Sequence, residues 1–148
     1  MTAYADRIAL LRHGKIAQVD RAAAVYARPV DLSAARFFSP LGEIVGRVVD
    51  GRVDTPLGTV PAPGRADGDA VVVAIRPIGA LAMATEGPGI PGRLLGKRGA
   101  IGIDLCEVGI AGLDRPIALR LPSDRRFVPG CDVFLTLNPE HVLVFDMD

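Results

Sequence analysis

The chain has 148 residues, which predicts one domain or two very small ones. Basic and acidic side chains number 17 each, and this balance argues against a dedicated binder of nucleic acid or another polyanion. No apolar stretch reaches the roughly 18 residues of a membrane span, so we expect a soluble, cytoplasmic protein. Residues 1–36 carry six basic and three acidic side chains, whereas residues 43–148 carry eleven and fourteen, which favours two modules.

The N-terminal segment predicts a β-hairpin followed by helices. Two apolar runs, 8–11 and 16–19, are joined by a turn at His13-Gly14. Residues 21–29 are alanine-rich with helical spacing and end at a proline. Residues 31–38 predict a further short helix that is capped by its first residue, an aspartate.

The stretch 39–42 contains a proline and a glycine, and we take it as the boundary between two modules. From Glu43 onward, short β-rich runs alternate with Gly, Pro and Asp turns at regular spacing. No helical pattern there is long enough for a crossover connection, so this region predicts an antiparallel barrel or sandwich. The predicted fold class is mainly β, with a short N-terminal hairpin and one or two helices.

An internal similarity divides the β-rich region. Residues 68–83 (GDAVVVAIRPIGALAM) align without gaps onto residues 130–145 (GCDVFLTLNPEHVLVF), and Gly46 and Gly92 each begin a similar short run. We interpret this as two copies of one β unit, about 43–86 and 90–146, that form two small barrels packed together. Chance similarity between apolar strands is the alternative. The residues expected to alternate into the cores are Val71, Val73, Ile75, Val133, Leu135 and Leu137.

The polar residues suggest no catalytic or metal centre. His13 and His141 have no Cys, Asp or Glu partner at metal-ligand spacing. Cys106 and Cys131 are expected to be buried free thiols. We therefore predict no catalytic, cofactor-binding or metal-binding residue.

Two further patterns have ordinary structural explanations. The glycine-rich stretches 86–92 and 95–102 do not match a phosphate loop, because Arg98 stands where Ser or Thr is required. They are expected to be a linker and a hairpin turn. Small β-barrels can bind oligonucleotides on aromatic strands, but only 5% of this chain is aromatic. Phe127, Phe134 and Phe145 lie in apolar runs typical of cores, and we expect no nucleic-acid binding.

The order of the motifs resembles the C-terminal part of the ATP-binding subunit of ABC importers. "ADRIALLRHGKIAQV", "VYARP" and "AARFFS" resemble the end of its ATP-binding domain, and "GRVVDGRVDTPLG", "VVVAIRP", "GRLLG" and "PGCDVFLTLNPEHVLVF" resemble its transport-associated OB-type (TOBE) domain. Ferric-iron importers are the nearest in character, with polyamine and sugar importers as related types. The residues on the first pattern are Asp6, Arg7, Ile8, Gly14, Ile16, Gln18, Tyr26, Pro29, Ala35 and Phe37.

The resemblance implies that residues 1–42 end an ATP-binding domain and that residues 43–148 form a duplicated OB-type regulatory domain. It implies a homodimer in which these domains hold two ATPase subunits together beneath membrane permease subunits, at the inner face of the cell membrane. ATP and Mg would belong to the full-length parent. The family's phosphate loop, signature segment, Walker-B aspartate and switch histidine precede the matched region, so we expect this chain not to hydrolyse ATP. The candidate subunit-contact residues are Gly87, Pro88, Gly89, Asp114 and Arg115.

One departure from the family concerns ligand binding. The family's Arg-Pro-Glu is replaced here by Arg76-Pro77-Ile78, so no ligand role of that glutamate carries over. The alternative function is a free-standing sensor that binds an oxyanion or metal between the two β units. Backbone N–H groups in glycine-rich turns would supply that binding site.

Overall fold

A computed structural model describes residues 7–12, 15–21, 28–29, 31–38 and 41–147 of the chain. The chain forms two compact units, Met1–Leu41 and Gly42–Asp148. Within the described residues, no helix has the length and apolar character needed to cross a bilayer.

The first unit contains the predicted hairpin. Strand β1 (Arg7–Arg12) pairs antiparallel with β2 (Lys15–Arg21), and the register shifts between Leu10 and Leu11. The hairpin is therefore confirmed. The turn at His13-Gly14 and residues 22–27 of the helix predicted within 21–29 fall outside the described residues. Of the rest of that prediction, Arg21 ends β2, and Arg28 and Pro29 are not helical.

Helix α1 (Leu32–Phe38) follows in the first unit. The Asp31 carboxylate accepts a hydrogen bond from the backbone N–H of Ala34 at 3.0 Å, which confirms the predicted cap. Ala34 and Ala35 are buried.

The second unit is built from ten strands, and every pairing among them is antiparallel. The mainly β fold class is confirmed. A 3₁₀ turn (Pro139–His141) precedes the last strand. The strands are β3 (Gly42–Val49), β4 (Arg52–Thr55), β5 (Gly58–Pro61), β6 (Ala70–Ile75), β7 (Leu81–Ala84), β8 (Ile90–Ala100), β9 (Ile103–Gly109), β10 (Ile117–Pro122), β11 (Asp132–Leu137) and β12 (Val142–Asp146).

The strands form two five-stranded sheets with the same internal order. Sheet 1 runs β5-β4-β3-β6-β12, and sheet 2 runs β10-β9-β8-β11-β7. Strands β3–β7 come from the first sequence copy and β8–β12 from the second. Each sheet therefore takes its fifth strand from the other copy, because β12 pairs with β6 and β7 pairs with β11. The two copies are interlocked by this exchange, and neither sheet is complete without the other copy.

One hydrophobic core is shared by both sheets. Val71, Val73 and Ile75 of β6 and Val133 and Leu135 of β11 are at most 1% exposed, as predicted. Leu137, the last of the predicted core residues, is only partly buried. It lies at the end of β11, beside a surface groove.

The expected alternation along β6 is wrong. Val72 and Ala74, which point to the opposite side from the predicted core residues, are also buried, at 6% and 0% exposure. Strand β6 lies between β3 and β12, and the register places Val45 and Phe145 on either side of Val72. Strand β6 is therefore buried on both faces.

A glycine recurs at equivalent positions of the two copies because there is no room for a side chain. A Cβ on Gly46 would come within 2.6 Å of a Val53 methyl group. A Cβ on Gly92 would come within 2.6 Å of Ile110 Cδ1 and 3.0 Å of the Gly109 carbonyl oxygen. The backbone contact cannot move cheaply, so glycine at position 92 is required for β8 to lie against β9.

We expect Gly92→Ala to lower the free energy of unfolding by about 2 kcal/mol, because the added methyl group overpacks the β8–β9 contact. Gly96→Ala is the matched control on the same strand, since a Cβ there meets nothing within 4 Å. Urea denaturation measures both. Equal stability of the two variants would contradict this account of Gly92.

The two copies also share a two-residue hairpin turn at the same place. Asp50-Gly51 joins β3 to β4, and Ile101-Gly102 joins β8 to β9, with φ values of 52° and 73° and of 54° and 79°. Positive φ at both central residues is the type I′ geometry, which favours Asn or Asp followed by Gly. Isoleucine at position 101 is β-branched and thus strained in this conformation.

We expect Ile101→Asn to raise the free energy of unfolding by about 1 kcal/mol, because asparagine tolerates the left-handed backbone. Asp50→Ile makes the reverse change in the equivalent turn and should lower stability by a similar amount. Urea denaturation at low protein concentration measures both variants. If neither substitution changes the midpoint, the turn at position 101 is not strained.

Candidate functional site

A surface groove of about 320 Å³ lies at one end of the second unit. The β4–β5 turn, the β7–β8 connection and the end of β11 form its walls, so both sequence copies contribute to it. The lining is mainly apolar, with two threonine hydroxyls. The lining residues are Leu57, Gly58, Thr59, Pro88, Gly89, Ile90, Leu135, Thr136, Leu137 and Pro139.

Two of the predicted subunit-contact residues, Pro88 and Gly89, line this groove. Gly89 has φ of 143°, and a Cβ there would lie 2.9 Å from the Leu135 carbonyl oxygen. The backbone of the β7–β8 connection therefore approaches β11 closely and fixes one wall of the groove. Gly87 is exposed in the same connection.

The other predicted contact residues, Asp114 and Arg115, are exposed in the β9–β10 connection. In that connection, a Cβ on Gly112 would lie 3.1 Å from Pro56, which precedes the groove residue Leu57. The structure therefore brings the β7–β8 connection and the Gly112 part of the β9–β10 connection to the β4–β5 turn. It does not place Asp114 or Arg115 in the groove lining. Their role as subunit contacts stays a prediction.

Three exposed acidic residues, Asp54, Glu86 and Glu140, contact a lining residue or lie within two residues of one, and we call them the acidic rim of the groove. Asp54 accepts a hydrogen bond from the hydroxyl of the lining residue Thr59 at 2.8 Å. Glu86 and Glu140 are exposed close in sequence to the lining residues Pro88 and Pro139. Neither glutamate forms an ion pair within the part of the chain that the structure describes. An apolar groove with an acidic rim suits an apolar group with a basic neighbour.

The same features do not fit a nucleotide. A triphosphate is held by Lys or Arg side chains or by the N–H groups of a helix N-terminus. The lining of the groove consists of apolar residues, glycines and two threonines, without Lys or Arg, so no step involving ATP is assigned to the described residues. The described residues also contain no group of three or more His, Cys, Asp or Glu side chains that could hold a metal ion.

The histidines and cysteines considered in the sequence form no site among the described residues. His141 is exposed in the 3₁₀ turn, and His13 lies outside the described residues. Cys106 is buried and free, whereas Cys131 is free but only half-buried, which corrects the expectation that both are buried. Burial raises the pKa of the Cys106 thiol, and the nearby Asp104 adds to this effect, so the thiol stays protonated at neutral pH.

A second feature, at the β8–β9 hairpin, was not predicted as a site. Ile101 at its tip is 102% exposed, and Ile103 beside it is 50% exposed. Arg98 is exposed on the same hairpin, and in the register it lies across from Leu105, which pairs in turn with Arg120. One feature of the sequence could have indicated this site: Ile101 occupies the turn position at which the first copy has Asp50.

A partly buried polar cluster around the buried Asp104 holds this hairpin to the loop after β10. Lys97 Nζ lies 3.5 Å from Asp104 Oδ2, and the Ser123 hydroxyl donates to Asp104 Oδ1 at 3.0 Å. Lys97 also donates to the carbonyl oxygens of Asp124 and Phe127 at 2.9 and 2.8 Å. These bonds fix the loop beside the tip, where Ser123 N–H donates to the Gly102 carbonyl oxygen at 2.9 Å.

The loop itself is stiffened by an exposed ion pair. Arg126 contacts Asp124 at 2.7 Å, and hydrogen bonds from Arg126 lower the pKa of Asp124 to about 2. Phe127 is buried in the core, as predicted from its apolar run, whereas Phe134 and Phe145 are half-buried.

Comparison with known proteins finds relatives that are similar to part of the chain. No model of a known protein family matches the chain. The chain is 40% identical over 87 residues to the Fe(3+) ions import ATP-binding protein FbpC of Streptomyces avermitilis, covering 57% of this chain and 25% of that protein. It is 38% identical over 77 residues to the FbpC of Streptomyces coelicolor, covering 52% and 22%. The first relatives are thus matched over about a quarter of their length.

A third relative is matched over more of this chain. The chain is 26% identical over 132 residues to the Fe(3+) ions import ATP-binding protein FbpC 2 of Rhodococcus jostii, covering 86% of this chain and 38% of that protein. Because the second unit has fewer residues than this match, the similarity includes residues of both units.

We expect Asp104→Asn to lower the free energy of unfolding by about 2 kcal/mol, because it leaves Lys97 without its buried countercharge. Asp132→Asn is the control, since Asp132 pairs with Arg93 at 3.5 Å with both side chains exposed, and we expect a change below about 0.5 kcal/mol. Thermal and urea denaturation measure both. A similar effect of the two substitutions would contradict a special role for the partly buried pair.

Proposed function

We propose that this chain is the C-terminal regulatory and dimerisation part of an ABC importer ATP-binding subunit that serves ferric-iron uptake. The observation that carries the proposal is the similarity to three Fe(3+) import ATP-binding proteins, one of which is matched across both units. The mainly β second unit agrees with the OB-type regulatory domain that the sequence resemblance implies.

In this role the second unit binds its counterpart in another subunit. Two ATPase domains that separate in each cycle gain effective concentration, of the order of millimolar, when their C-terminal parts stay associated. A ligand-independent contact of this kind needs a rigid body with complementary surfaces and no catalytic side chain. The shared core and the exchanged fifth strands supply such a body.

The proposal implies two kinds of partner, a second ATP-binding subunit and the membrane permease subunits. The permease subunits would hold the assembly at the inner face of the membrane. ATP and Mg bind elsewhere in the subunit, and the chain on its own does not hydrolyse ATP. No nucleic acid takes part.

The test is a chimera. The matched segment of the Streptomyces avermitilis protein is replaced by the corresponding residues of this chain, and a second variant has that segment deleted. We expect the chimera to keep the dimer and the ATPase rate of the intact relative, and the deletion to lower both. A chimera that behaves like the deletion would overturn the proposal.

Titration of the chain itself tests the alternative that it is a free-standing sensor. Ferric citrate, molybdate and sulfate are added in turn and the heat of binding is measured. We expect no binding. Tight one-to-one binding of any of them would favour the sensor and would replace the regulatory role.

A further inference from the structure

The tip of the β8–β9 hairpin is an apolar projection with basic neighbours. Ile101 is 102% exposed in a left-handed turn that disfavours it, so no burial against the described residues offsets the cost of that conformation. Arg98 is exposed on the same hairpin, and Arg125 is exposed in the loop that Ser123 ties to the tip. Neither arginine forms an ion pair among the described residues.

The groove has the complementary character. Leu57, Ile90 and Leu137 give it apolar walls, and its volume of about 320 Å³ accommodates a branched aliphatic side chain. Glu86 and Glu140 at the rim are exposed and lack an ion pair within the described ranges. An isoleucine flanked by arginines therefore matches the groove in both polarity and charge.

The tip and the groove lie at opposite ends of one strand. Ile90, the first residue of β8, lines the groove, and Ala100, the last, leads into the Ile101 turn. The register shifts between Leu94 and Gly96, which bends the strand, so the eleven residues span at most about 35 Å. Two copies related by a two-fold axis near the middle of β8 would have antiparallel β8 strands, which brings each tip to the end of the other copy at which its groove lies.

We propose that the groove binds the β8–β9 tip of a second copy of this chain, in a closed two-fold dimer. Ile101 fills the groove, and Arg98 and Arg125 face the acidic rim. The two symmetry-related tip–groove contacts form together, so each one strengthens the other. The proposal deepens the dimerisation role proposed above and rests on it.

The first test is sedimentation equilibrium of the full 148-residue chain and two variants. We expect a dimer for the wild type and a dissociation constant raised roughly tenfold or more for Ile101→Asn. Asparagine suits the turn, so a loss of association cannot be ascribed to misfolding, and a raised melting temperature of the monomer verifies this. Val49→Asn removes another exposed apolar side chain, 59% exposed, beside the equivalent turn of the first copy and should leave the dimer unchanged.

The second test exchanges the charges. Arg98→Glu and Glu140→Arg should each weaken the dimer by about fivefold, and combining them should restore part of the loss. High salt should weaken the wild-type dimer and should weaken the Arg98→Glu variant less, because that variant has lost one of the attractive charge pairs.

The outcomes separate this proposal from the proposed function. A dimer that Ile101→Asn leaves intact would overturn the tip–groove contact, while the dimerisation role would stand on another surface. A monomeric wild type would overturn the contact, and the chimera would still decide the proposed function. Polymers that grow with concentration would overturn the closed two-fold arrangement. A monomer whose groove binds the dye anilinonaphthalene sulfonate would assign the groove to a small apolar ligand instead.

Discussion

The exchange of the fifth strand between the two sequence copies is the constraint on which the second unit depends. Strand β7 leaves the first copy to pair with β11, and β12 returns to pair with β6. A unit of this size buries too little apolar surface to be stable alone. The exchange merges two such units around one core, in which Val73 and Leu135 are both fully buried. It also covers one side of β6 and β11 that would otherwise be open edges.

The same exchange creates the candidate site. Because β7 is carried across to β11, the connection that follows it runs along the end of β11, where Gly89 approaches the Leu135 carbonyl oxygen. That connection faces the β4–β5 turn of the first copy across the groove. The groove is thus a product of the interlocked topology. The tip at Ile101 gains rigidity through the partly buried Lys97–Asp104 pair and the bonds to the following loop.

The sequence predicts the strands well because they depend on local alternation and turn residues. The gapless sequence repeat even aligns β6 with β11 and β7 with β12. It cannot tell which copy a strand pairs with, since both copies present similar apolar faces. For that reason the exchange, and with it the groove, was not predictable, although Pro88 and Gly89 were singled out as contact residues. The Lys97–Asp104 pair was missed because its partners are joined by cross-strand pairing and a loop that no local pattern specifies.

The two equivalent turns show how the copies have taken different roles. Asp50 and Ile101 occupy the same left-handed position, yet only the aspartate agrees with the backbone. A residue that opposes its local conformation while fully exposed contributes nothing to the fold of one chain, so its contribution must be sought in contact with another molecule. The basic neighbours of Ile101 and the acidic rim at the far end of β8 make a second copy the partner that satisfies both ends together. Strand β8 thereby sets the distance between the tip and the groove. Both contacts form in one dimer only when the β8 strands of the two copies are antiparallel.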